Sequence, residues 1–114
     1  GEAVEVVVVL PATDAEFRRG LMEVPDLADG TGMLFDFGRD RTGGFWMKDT
    51  LVPLDIAFAA DDGGIVEILS MEPCPAEPCP TYDPGVNYRY ALEVPRGWFS
   101  ANDVGPGDRL EPPA

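Results

Sequence analysis

The chain has 114 residues, 45% of them apolar, and carries 8 basic against 21 acidic side chains for a net charge of −13. That length and apolar content suit one domain, residues 1–114, with one hydrophobic core and exclude wholesale disorder. The charge excludes a nucleic-acid binder, which needs cations to displace counterions from phosphates, and disfavours docking on an anionic membrane.

The predicted elements follow in chain order. Val4–Leu10 is β-branched and predicts a strand buried on both faces near its end, stopped by Pro11. Thr13-Asp14-Ala15-Glu16 predicts a capping box at the start of a short helix, with Arg18 and Arg19 in its last turn. Residues 25–32 form a loop, Met33–Phe37 a strand, 38–44 a polar turn and Phe45–Lys48 a strand. Leu54–Ala60 alternates with period two, Asp61-Asp62-Gly63-Gly64 is a hairpin signal, and Ile65–Met71 is the return strand. A Pro/Cys-rich loop runs to about Asn87, and Tyr88–Val94 is a strand. Gly97–Asp103 reads as a helical turn, Asp108–Glu111 as a last short strand and Pro112-Pro113-Ala114 as a tail. Thirteen glycines and twelve prolines agree with many turns and few helices. The expected fold is α+β, mostly β. It has six or seven short strands in a strongly curved sheet or partly open barrel, with one short N-terminal helix.

Composition narrows the chemistry. The absence of histidine excludes a Ser-His-Asp or Cys-His catalytic unit and any His-ligated metal. Lys48 is the only lysine. So much carboxylate with so little lysine is expected of a halophile's protein, or of an acidic protein from a GC-rich genome. Cys74 and Cys79 bound Cys-Pro-Ala-Glu-Pro-Cys, a spacing that is neither the redox Cys-x-x-Cys nor sufficient for zinc. A disulfide across this stiff loop is expected, which places the protein outside the cytoplasm: secreted, periplasmic or membrane-anchored on the outer face. Free thiols in a reducing compartment are the alternative. The chain opens at Gly1 rather than Met, as a processed form would.

Several segments then occur in a fixed order: Arg19-Gly20-Leu21-Met22; Gly32-Met33-Leu34-Phe35; Phe45-Trp46-Met47-Lys48-Asp49-Thr50; Pro53-Leu54-Asp55-Ile56-Ala57-Phe58; Leu92-Glu93-Val94-Pro95 followed by Gly97; and Gly107-Asp108. This series, spanning roughly Glu16 to Arg109, closely resembles the domain of unknown function 192 family of small bacterial and archaeal proteins. The resemblance implies a compact β-rich fold with one helix, frequent export signals or membrane anchors, and no established mechanism or cofactor. The chain departs from the family pattern at Asp49, where Asn is usual, so a role needing an amide donor there is not carried over.

The same segments supply the candidate site. In Leu54–Ala60, Asp55, Ala57 and Ala59 share one face; in Tyr88–Pro95, Arg89, Ala91 and Glu93 do. If these small-residue faces line one concavity, Asp55 and Glu93 project into it with Arg89 near, and Trp46 and Lys48 line its rim. Arg19, Lys48 and Arg89 are candidate partners for an anionic ligand. The plain alternative is an ion-pair network that ties loops together. Among the aromatics Trp98 is the expected exposed one. The Asp61-Asp62 pair is read as a turn rather than a calcium site, and Met22, Met33, Met47 and Met71 as core filler.

These features predict a monomeric extracytoplasmic binding or accessory domain without a cofactor or metal. Trp46, Lys48, Asp55, Arg89, Glu93 and Arg19 would recognise a small polar ligand or a partner protein. The alternatives are a small enzyme using Asp55 and Glu93 as acid and base with Lys48 or Arg89 stabilising charge, and a structural envelope module.

Overall fold

The structure, a computed structural model, describes residues 3–113. The expected tail's last residue, Ala114, lies outside them. Seven strands and two short helices follow one another as β1 (Val7–Val9), α1 (Asp14–Arg19), β2 (Thr31–Arg41), β3 (Phe45–Trp46), β4 (Leu54–Ala59), β5 (Ile65–Met71), β6 (Thr81–Tyr82), β7 (Tyr88–Pro95) and α2 (Trp98–Ala101). Five strands form a mixed sheet in the order β1-β2-β7-β4-β5, and β3 pairs with β6 in a two-stranded sheet. Only β1 and β2 run parallel. The five-stranded sheet ends at β1 and β5, so it closes no barrel. No helix among the described residues is long and apolar enough to cross a membrane.

Local chemistry explains the elements. Thr13 caps α1: its hydroxyl accepts the Glu16 N–H at 3.1 Å, and the Glu16 carboxylate accepts the N–H groups of Ala12 and Thr13. Those amides hold the Glu16 carboxyl below its ordinary range. The β4–β5 hairpin turns at Asp62, whose carboxylate accepts the Gly64 N–H at 2.8 Å, as its Asp-Gly sequence predicts.

Two cores result, one on each face of the sheet. Leu54, Ile56, Phe58, Phe35 and Ala91 face the first, with Phe17 of α1 packed against it. Ala57, Ala59, Leu34, Leu92 and Val94 face the second, with Phe99 of α2. Every residue of β4 is therefore buried, although its sequence alternates as a half-exposed strand would.

Three expectations change. The Val4–Leu10 segment is not buried on both faces: β1 is an edge strand in which Val7 is 73% exposed, because only Val6 and Val8 pack inward on the second core. β2 runs on through the expected turn to Arg41, and its ladder with β7 shifts register between Asp36 and Arg41. Beyond that shift Tyr88 joins the first core, where its hydroxyl donates to the Gly43 carbonyl at 2.8 Å. Finally, Asp108–Glu111 is no strand; it contributes a single bridge between Gly64 and Arg109.

Candidate functional site

The pairing of β4 with β7 decides which predicted residues meet. Asp55 lies opposite Val94, and Ile56 lies opposite Glu93. Directly paired residues share a face and neighbours along a strand do not. Asp55 therefore joins Ala57 and Val94 on the second core, while Glu93 joins Ile56 and Ala91 on the first. The two carboxyls stand on opposite sides of the sheet and share no concavity. The expected Asp55/Glu93 pair is corrected on this register.

Asp55 is fully engaged in structure. It is 7% exposed, and its carboxylate accepts the Ser70 hydroxyl at 2.7 Å and the Gly97 N–H at 2.9 Å. Arg96 approaches it at 3.7 Å, pairs with Glu72 at 2.7 Å and donates to the Met71 carbonyl at 2.9 Å. This network ties β4, β5 and the start of α2 together. Its cation is Arg96, which sequence reasoning missed; its place between Pro95 and Gly97, inside a family segment, was the available signal.

Glu93 presents the opposite case. It is 4% exposed, and among the described residues no hydrogen bond or ion pair reaches its carboxyl. Burial alone pushes its pKa up to about 8, which favours the protonated acid at neutral pH. It lines a cleft of about 460 Å³ between α1, β2 and the β3–β6 ribbon. Phe17, Phe35, Phe37, Phe45 and Trp46 contribute the apolar walls. Arg18 and Arg19 come from α1 and Arg41 from the end of β2. The phenyl rings stand 5.1–6.1 Å apart, centre to centre, in tilted, stacked and edge-on contacts.

Two glycines make this floor possible. Gly20 ends α1 at φ +50, a conformation strained for a residue with a side chain, and its Cα sits where a Cβ would touch the Phe35 ring and the Glu93 carboxyl. Gly32 lies so close to the Glu93 carbonyl that no Cβ fits between them. Backbone conformation at Gly20 and close approach at Gly32 thus bring helix end and strand onto Glu93.

The other predicted residues divide. Trp46 and Arg19 line the same cleft as Glu93. Lys48 does not; its ammonium lies 5.4 Å over the Trp46 ring and 3.9 Å from Glu77. Arg89 pairs with Asp36 at 3.6 Å and lies outside the cleft. Trp46, at 44%, is the exposed tryptophan, whereas Trp98 packs partly against the second core. Arg18, Arg41 and Phe37 were missed, since a strand reading that stops at Phe37 hides what the end of β2 faces.

Cys74 and Cys79 form a disulfide. The loop it closes hangs on the candidate segment, because Asp49 donates its N–H to the Cys74 carbonyl at 3.1 Å and accepts from Glu23 N–H at 2.7 Å. Asp49 has φ +55, a conformation that Asn and Asp tolerate best among residues with side chains. A backbone requirement thus accounts for an Asn or Asp at this position.

Comparison with known proteins places this geometry. The model of DUF192, described as an uncharacterized ACR, matches residues 1–112. A crystal structure from Sinorhizobium meliloti 1021, described as a candidate transcription regulator, superposes with TM-score 0.83 at 39% identity, covering 91% of this chain and 79% of that one. A protein of unknown function from Novosphingobium aromaticivorans superposes with TM-score 0.79 at 30% identity, covering 91% and 73%. No curated protein matches. The chain belongs to the DUF192 family.

Proposed function

We propose that this protein is an extracytoplasmic binding domain whose cleft under α1 takes a small ligand. One observation carries the reading: an unpartnered carboxyl, 4% exposed, at the floor of a cleft walled by aromatic rings. The carboxyl oxygens are open to the cleft, so a ligand there can hydrogen-bond a group that no described residue meets. The cleft's size and mixture of apolar wall and few polar groups are those of small-molecule sites. The disulfide supports an oxidising location. The regulator description of the Sinorhizobium protein is not carried over, because a net charge of −13 leaves too few cations for phosphate contacts.

Titration of the labelled protein with p-cresol and with methyl glucoside, followed by NMR, tests this. Amide shifts concentrated at Gly20, Phe35, Phe45 and Trp46, and lost in Glu93→Leu, are expected. Shifts scattered over the surface, or none, end the proposal.

A second reading is favoured by the same carboxyl. A glutamic acid protonated near neutrality is poised as a general acid, so a small enzyme with Glu93 as its proton donor fits the cleft. Asp55 and Lys48 are not its partners on this geometry. Hydrolysis of aryl glycosides or aryl esters that disappears in Glu93→Gln would support it; equal rates in both proteins would remove it.

A further inference from the structure

Resting on the binding reading above, we infer that the cleft selects an anion: a single ring bearing a carboxylate, held by Arg18, Arg19 and Arg41, with a hydroxyl on the ring meeting Glu93. The distribution of charge argues for this. The chain has eight basic residues against 21 acidic ones, yet three of the eight line this one cleft. Glu93 is the only carboxyl among the lining residues, and being protonated it does not cancel them. The charged groups that line the cleft besides Glu93 are Arg18 and Arg19 from α1 and Arg41 from β2, none of them near enough to offset the desolvation of Glu93; Trp46 of β3, Thr50 and Thr81 of β6 bring no charge.

The arginines are not consumed by internal pairing. Arg19 meets Glu23 at 3.5 Å in an exposed i,i+4 pair of the kind that contributes little. Arg41 stacks its guanidinium 4.4 Å from the Phe37 centroid and 5.6 Å from that of Tyr88, and its Nε donates to the Thr42 carbonyl at 3.4 Å. Stacking fixes the plane of the group beside the Tyr88 hydroxyl, and the N–H donors not turned to that hydroxyl are the ones open to a carboxylate. Among the described residues Arg18 forms no ion pair.

The aromatic walls favour a flat body. A ring between Phe45, Phe37 and Trp46 would bury apolar surface, while its charged end stays with the guanidinium groups near the exposed helix face. A protonated Glu93 donates one hydrogen bond and accepts another, which suits a hydroxyl and not a second anion. An aromatic hydroxycarboxylate and a uronic acid share this chemistry.

Calorimetric titration of the intact protein at pH 6.5 with four probes tests the inference. 4-Hydroxybenzoate should bind at least about tenfold more tightly than 4-hydroxybenzamide, and glucuronate should exceed methyl glucoside likewise if the body is a saturated ring. Arg18→Gln and Arg41→Gln, both at positions with solvent access, should each weaken the anion several-fold more than they weaken the neutral probe, narrowing the preference between the two. Glu93→Gln, which keeps a neutral donor, should retain anion binding. Neutral probes that bind as tightly as the anions overturn the anion inference while leaving a binding cleft. No response to any of the four overturns both.

Discussion

Asp55 and Glu93 sit on adjacent strands, one register step apart, and both are buried. Yet they live in opposite electrostatic conditions. Asp55 faces the second core, where a hydroxyl, a backbone amide and a guanidinium complete its shell. Glu93 faces the first, where aromatic rings and a helix end surround it and, among the described residues, none hydrogen-bonds its carboxyl. Burial by itself therefore does not define a site. A satisfied carboxylate is a structural joint, whereas an unsatisfied carboxyl facing open volume waits for something to bind.

The contrast can be broken by pH. The pKa of Glu93 is raised in the folded chain, which keeps a proton that the unfolded chain releases. Its contribution is whole below about pH 4.5 and is lost as pH climbs to about 8. Over that window the loss is on the order of 5 kcal/mol. Glu93→Gln has no such proton to lose, so the difference in urea midpoint between wild type and variant should grow from pH 5 to pH 8.5. Parallel curves would mean that Glu93 is ionised or hydrated in the folded chain.

Next in size is Asp55→Ala. Removing the acceptor strands the Gly97 amide and the Ser70 hydroxyl and leaves Arg96 without its buried partner, a destabilisation of about 3 kcal/mol. Probe binding to the cleft should survive wherever the protein stays folded. A variant that is stable but no longer binds would reverse the roles assigned to the two carboxyls.

Cys74→Ser with Cys79→Ser should lose about 2 kcal/mol, as expected for so short a closed loop. The measurement is the urea midpoint with and without reductant, which should differ in the wild type only. Smallest in stability is Trp46→Ala. At 44% exposure its truncation should change stability by less than about 1 kcal/mol, yet it removes one wall of the cleft. Equal probe affinity in this variant would exclude Trp46 from the site.

Much of this was legible in the chain. Thr13 and Glu16 announce the helix, Asp62-Gly63 the hairpin, and Cys74 and Cys79 the cross-link, because each signal acts between near neighbours. The family segments also pointed to the right stretches. Gly20, Trp46 and Glu93 all belong to them and all line the cleft. The error lay in joining Asp55 to Glu93. The alternation holds along β4 and along β7 from Tyr90 onward, while Tyr88 lies with Ala91 on the first core; which face of β4 meets which face of β7 depends on register, and a slip of one residue moves a side chain to the other side. Arg96 and Arg41 were overlooked for related reasons: one reaches across to Asp55, and the other lies past a register shift.

The chain's own order of residues thus determined a mostly-β protein with one capped helix, a cross-linked loop and a strongly acidic surface. These follow from local hydrogen bonding, side-chain periodicity and charge count. Only the tertiary structure decided that one buried acid is tied down and the other is left open beneath aromatic rings. That choice rests on strand register and on two glycines that let a helix end and a strand close on Glu93, contacts between segments far apart in sequence.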